Sequence, residues 1–208
     1  WTYFLFLSAS RVHISFSCPS GCSCFRESGS LLAYVKCVFA AENPETYKLF
    51  PFVLPLNTSV VQLQHIVAKH AIAQDFFTQV SFDDMSWYHV QEITIITDSY
   101  DSYETSALLN NSLRGLDFLK VLRVQQQIGS LESGVFLYTP NIETLDMSDN
   151  PVLRMVDVIR ALRYALPKLK YLDISRIQRV SGEPLILGWE FTEAIRNKPL
   201  EVLNISGT

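Results

Sequence analysis

The sequence predicts an α/β solenoid: a curved parallel β-sheet on the concave face, a variable helical or irregular convex side, and an N-terminal disulfide cap. Three observations predict it. An apolar frame recurs at irregular intervals, from 23 residues between Leu122 and Leu145 to 31 between Leu172 and Leu203. The segments between copies carry helix-like apolar spacing, and all four cysteines precede the first copy. A length of 208 residues with 48% hydrophobic side chains suits about one domain with a sizeable core.

The first residues, "WTYFLFLSAS", are apolar and end in small side chains, so residues 1–10 read as the remnant of a secretory signal cut before Arg11. A buried first strand is the alternative. The run is too short for the roughly 18 to 20 residues that a membrane helix needs. Next comes "CPSGCSCFRESGSLLAYVKC", with Cys18, Cys22, Cys24 and Cys37. In an oxidising compartment such a cluster reads as two disulfides stapling a small subdomain. Zinc is the rival, although Cys22 and Cys24 are closer than the usual two to four intervening residues of a zinc knuckle.

The frame is clearest in "NIETLDMSDNPVL", where Ile142, Leu145, Met147 and Asn150 spell L-x-x-L-x-L-x-x-N. Further copies use Val90, Ile93, Ile95 and Asp98; Leu119, Leu122, Val124 and Gln127; Leu169, Leu172, Ile174 and Ile177; and Leu200, Leu203, Ile205 and Thr208. A weaker copy begins at Val60 and Leu63, which makes about six. Periods of this kind are the signature of leucine-rich repeats, in which no coil buries its apolar face alone. The first, fourth and sixth positions should point inward and stack, with Leu145, Leu172 and Leu203 in one column. The ninth position suits Asn, whose amide both donates and accepts within the turn. Ile177 cannot do this, so its turn should be organised differently.

The return segments differ in kind. After Gln127, Ile128, Leu131 and Phe136 fall where a compact return would bury them. In "VDVIRALRYALPKL", Val156, Ile159, Leu162 and Leu166 predict an inward helix face, with Pro167 ending the helix. A second short helix is expected around Phe191 to Ile195.

The cysteine block followed directly by such frames resembles the N-terminal cap of extracellular leucine-rich-repeat proteins. That resemblance implies a disulfide-pinned β-hairpin over residues 18–42, with Glu27 to Ser30 as its turn and Cys18 paired with Cys24, Cys22 with Cys37. Residues 43–208 would be about six irregular repeats. The phrases "LESGVFLYTPNIETLDMSDN", "LPKLKYLDIS" and "KPLEVLNISGT" look most like invertebrate Toll-like receptor ectodomains. The resemblance implies a fragment of a single-pass receptor on the extracellular side of the plasma membrane. It also implies a protein or microbial ligand, receptor dimerisation, no cofactor, and membrane contact only through downstream sequence. A secreted or matrix scaffold of the same superfamily is the alternative.

The candidate ligand face is the outward concave surface, with Thr94, Arg123, Gln125, Asp146, Ser148, Tyr171, Asp173 and Arg176. Three sequons stand at Asn57, Asn110 and Asn204, and a glycan on Asn204 would obstruct that face. A net charge of -4 with no polybasic run argues against nucleic acid as a partner. Enzymatic spacings are missing: His65 and His70 are five apart, the adjacent Asp83 and Asp84 have no base partner, His13 lies near the signal, and His89 reads as a strand-edge surface residue. No catalytic residue or metal ligand is therefore expected.

Overall fold

The computed structural model describes residues 18–19, 21–26, 33–38, 54–55, 57–64, 87–96, 106–126, 128–178 and 187–207. The signal remnant, the hairpin turn, Asp98, Gln127 and Thr208 lie outside the described residues, as do His13, His65, His70, Asp83 and Asp84.

Two antiparallel strands, β1 (Cys22–Arg26) and β2 (Ala33–Val38), open the fold with Cys22 opposite Cys37. Disulfides join Cys18 to Cys24 and Cys22 to Cys37, the pairing that the cap resemblance implies. The zinc alternative is left without thiolates. Because Ala33, Val35 and Cys37 alternate along β2 and are buried, that strand carries one apolar face into the sheet beyond it.

In chain order there follow β3 (Thr58–Gln64), β4 (Glu92–Ile96), β5 (Ser106–Leu108), β6 (Val121–Gln125), β7 (Ile128–Leu131), β8 (Thr144–Asp146), α1 (Met155–Leu162), β9 (Tyr171–Asp173), α2 (Trp189–Ile195) and β10 (Val202–Asn204). The main sheet runs β1-β2-β3-β4-β6-β8-β9-β10, and every pairing after β1–β2 is parallel. A second parallel pair, β5 with β7, lies on the return side. The chain is thus a parallel-sheet β-solenoid with few helices and a disulfide-stapled N-terminal hairpin.

Its core is a set of columns. Register places Val35, Val61, Ile93, Leu122, Leu145, Leu172 and Leu203 in one of them. Cys37, Leu63, Ile95 and Val124 form the next, so the Cys22–Cys37 bridge ties the hairpin to the core itself. The expected stack of Leu145, Leu172 and Leu203 is present, with the first two fully buried and Leu203 on the last strand 37% exposed.

Two local expectations are corrected. The first copy of the frame does not begin at Val60: Val61 pairs with Ile93 and Leu63 with Ile95, so Thr58 holds the first position. A strand alternates with period two, and a slip of two residues preserves which side chains point inward, leaving the choice to tertiary pairing. Buried Thr58 is accommodated because its hydroxyl donates to the Pro55 carbonyl. The α1 face is also shifted. Met155, Val158, Ala161 and Leu162 are buried, whereas Val156 is 40% exposed. Both phases offer apolar residues three or four apart, so periodicity could not separate them. The helix ends at Leu162, short of the expected stop at Pro167, and buried Leu166 lies beyond it at φ 56°, a left-handed conformation rather than the extended one that a following proline favours. The second helix and the burial of Ile128, Leu131 and Phe136 follow the sequence reading.

Candidate binding face

Five coils, those leading to β3, β4, β6, β8 and β9, enter their strands through the same turn. Bonds from Thr58 N–H to Pro55 O, Val90 to Trp87, Leu119 to Leu116, Ile142 to Thr139 and Leu169 to Leu166 span three residues in every case. Each of four coils leaves its strand through a left-handed residue: Gln126, Asp149, Arg176 and Gly207 have φ between 56° and 67° at the eighth frame position. These two repeated devices hold the strand faces in register.

Asn150 secures the second device. Fully buried, it accepts from Ile128 N–H through Oδ1 at 2.7 Å and donates through Nδ2 to the carbonyls of Val124, Met147 and Ser148. One side chain thereby links two coils. At the next ninth position Ile177 is buried instead, and the adjacent Gln178 does the polar work. Its Oε1 accepts from Met155 N–H at 2.9 Å, serving the otherwise unpaired N-terminus of α1 from a neighbouring coil. Asp157 in that first turn favours the same helix end, although Arg154 at 3.0 Å shares its carboxylate.

The open face of the sheet carries all eight predicted residues at the third, fifth, seventh and eighth positions, and the structure brings neighbours into direct contact. Arg123 Nη1 donates to Glu92 at 2.5 Å across one strand boundary. Gln125 Nε2 donates to Asp146 at 3.2 Å and to Ser148 at 3.0 Å across the next. Arg176 grips Asp149 through both Nε and Nη2, a two-pronged geometry suited to guanidinium and carboxylate. That pairing raises the Arg176 pKa, chiefly through the hydrogen bond and then through the charge of Asp149. Thr94 stands half-buried beside Arg123 in register.

A finer motif recurs in the sequence, beneath the leucine frame. "LDMS", "LDIS" and "LNIS" place Asp or Asn at the fifth position and Ser at the seventh in three successive coils. In each, the fifth-position oxygen accepts the backbone N–H two residues on: Asp146 from Ser148, Asp173 from Ser175, and Asn204 from Ser206. This is the local turn that Asx side chains favour. Recurrence of the triplet at one frame position was the signal that could have revealed it.

Asp173 is the centre of this row. Burial pushes its carboxyl up, but hydrogen bonds from Ser175 Oγ, Ser175 N–H, Asn204 and Tyr171 outweigh that and hold it below the usual carboxylate range. Burial and the neighbouring Asp173 charge raise the Tyr171 phenol, which donates to Asp173 at 3.3 Å. Ser148, Asp173 and Ser175 are therefore buried rungs, 3%, 8% and 1% exposed, whose polar atoms are engaged within the fold. The half-buried Thr94, Arg123, Gln125, Asp146, Tyr171 and Arg176 present the accessible chemistry.

The lateral edge offers a second polar row. Lys120, Glu143, Lys170 and Glu201 occupy the second frame position with alternating charge, and Lys170 Nζ lies 2.7 Å from Glu143. That contact lowers Glu143 and raises Lys170, in both cases mainly through their mutual hydrogen bond.

Three environments hold the sequons. Asn57 is exposed, at φ 63° in the turn before β3. Asn110 is exposed; its Oδ1 accepts from Gly134 N–H at 2.8 Å, an approach that a Cβ on Gly134 would obstruct at 2.8 Å. Asn204 is half-buried, and its Nδ2 donates to Asp173 at 2.9 Å. Among the described residues no group of three or more His, Cys, Asp or Glu is arranged to hold a metal ion. Compared with known protein families, curated proteins and solved structures, the chain matches none of them.

Proposed function

We propose that this chain is the N-terminal part of a Toll-like pattern-recognition receptor ectodomain, a leucine-rich-repeat solenoid that recognises a protein or microbial ligand and signals by receptor pairing. The observation that carries the reading is the continuity of cap and sheet. A hairpin stapled by Cys18–Cys24 and Cys22–Cys37 feeds β2 directly into the parallel register of the frames. Asn150, bridging two coils from the ninth position, supports the same superfamily. Two disulfides fit an extracellular or secreted protein. No described helix is long and apolar enough to cross a membrane.

Recognition rather than catalysis is the activity this surface favours. It presents charged and amide groups preorganised by contacts between strands, so that little side-chain entropy remains to be lost when a partner docks. Arg123, Tyr171 and Arg176, held by Glu92, Asp173 and Asp149, are half-buried groups placed to meet a polar ligand. The rival is a secreted or matrix scaffold of the same superfamily without a signalling domain.

Reading the transcript past the codon for Thr208 separates the two. Further coils, a span of about 20 apolar residues and a TIR-like α/β domain establish the receptor. A cysteine cap followed by a stop codon refutes it in favour of the scaffold.

A further inference from the structure

An exposed aromatic row lies on the lateral edge where the entry turns line up. The third residue of successive turns is Asn57, His89, Phe118, Asn141 and Lys168, each placed by the same three-residue-spanning bond. Ser59 O accepts from Gln91 N–H at 2.8 Å, and Val60 pairs with Glu92, so the Asn57 turn is the immediate neighbour of the His89 turn. Adjacent turns are thus separated by about one strand spacing, roughly 4.8 Å. Tyr88, His89 and Phe118 form a continuous surface: Tyr88 meets Phe118 edge-on at 4.9 Å and His89 at 5.4 Å, with His89 and Phe118 6.2 Å apart. Phe118 is 45% exposed, and His89 is exposed beside it. Exposed aromatic surface of this kind gains from a cover, and Asn57 at its end heads the sequon Asn57-Thr58-Ser59.

We infer that Asn57 carries an N-linked glycan whose first sugars lie over His89 and Phe118. The inference rests on the secretory part of the proposed function. In the transfer, the anomeric carbon of an oligosaccharide held on a lipid pyrophosphate bonds to Asn57 Nδ2. Its bond to the phosphate oxygen breaks, the lipid pyrophosphate leaves with that electron pair, and the amide nitrogen loses one proton. A pyranose ring has an apolar C–H face as well as a hydroxyl rim, so it can stack on an aromatic ring while its hydroxyls stay in water. Asn57 is exposed in the turn next to that of His89, whereas Asn204 Nδ2 is already committed to Asp173. Thr58 and Ser59 are 0% and 4% exposed, so the sequon is readable only before the coil closes. The glycan is therefore added during synthesis, ahead of folding.

The test uses the whole chain, exported from a eukaryotic cell with a supplied leader. Glycopeptide mass spectrometry should find Asn57 occupied. Thermal unfolding is then compared for the parent and for Asn57→Gly, which tolerates the positive φ and removes the sugar, each with and without His89→Ser and Phe118→Ser. Loss of the sugar should lower Tm by about 2–4 °C with the rings present, the shift expected for a contact of aromatic-pair size in a chain of this length. Without the rings the shift should vanish. Trimming to a single N-acetylglucosamine should keep most of it. An unmodified Asn57, or an equal Tm loss in both backgrounds, overturns the inference. Because the leader is supplied, those outcomes are independent of the natural compartment. The compartment reading fails separately, if protein from its own source has four free thiols.

Discussion

Replacing Asn150 by Ala removes one side chain that is fully buried and makes four hydrogen bonds spanning two coils. Ile128 N–H then has no acceptor in a site closed to water, which costs ~1–3 kcal/mol. Loss of the donors to Val124, Met147 and Ser148, with the small void left behind, adds roughly 1 kcal/mol. The total of about 2–4 kcal/mol corresponds to a fall in Tm of about 4–16 °C for a chain of this size. Urea unfolding followed by circular dichroism reads it as a lower midpoint. Asn150→Asp is the sharper control. It keeps the acceptor for Ile128 but turns the donor group into an oxygen facing three carbonyls, and it buries a charge. It should destabilise more than Ala does. A change below about 0.5 kcal/mol for Ala, or a milder effect for Asp than for Ala, would refute the account of Asn150 as a two-coil clamp.

Three further outcomes follow from the same geometry. Replacing Cys22 and Cys37 by Ser opens a bridge of sequence separation 15 and should cost about 3 kcal/mol, against about 2 kcal/mol for the Cys18–Cys24 bridge of separation 6, as chemical denaturation would show. Leu145→Ala should cost ~3 kcal/mol and Leu203→Ala clearly less, because the former is fully buried and the latter 37% exposed; equal losses would mean the columns are not the core. The depressed Asp173 carboxyl stabilises the fold at pH values above its unfolded value of about 3.9, and that contribution is lost as pH falls through the lower folded value. The stability difference between the parent and Asp173→Asn should therefore shrink as pH drops below about 4. A difference that persists unchanged to pH 2 would contradict the hydrogen-bonded rung.

Sequence reading reached furthest where a pattern repeats. Leu122, Leu145, Leu172 and Leu203 announce a column because inward stacking leaves an apolar residue at the same place in each coil. Asn150 was legible for a related reason, since its short amide both accepts and donates within that turn. The candidate face was legible as a face, because alternation alone separates outward from inward residues. Which of its members remain accessible was not. Asp173 and Ser148 read as surface groups along the chain, and only neighbouring strands bury them.

What the sequence by itself determined is the solenoid class, the order of its coils and the cysteine-bearing cap, all of which depend on composition and period within the chain. Tertiary structure alone decided the register of β3, the phase of α1, the partners of Asp173 and the alignment of Asn57 with His89 and Phe118. The physical reason is common to these cases. A two-residue slip, a rotated helix face or a lateral row of turns leaves the local apolar pattern unchanged, so the choice falls to contacts between residues about 30 positions apart, which exist only once the coils have stacked.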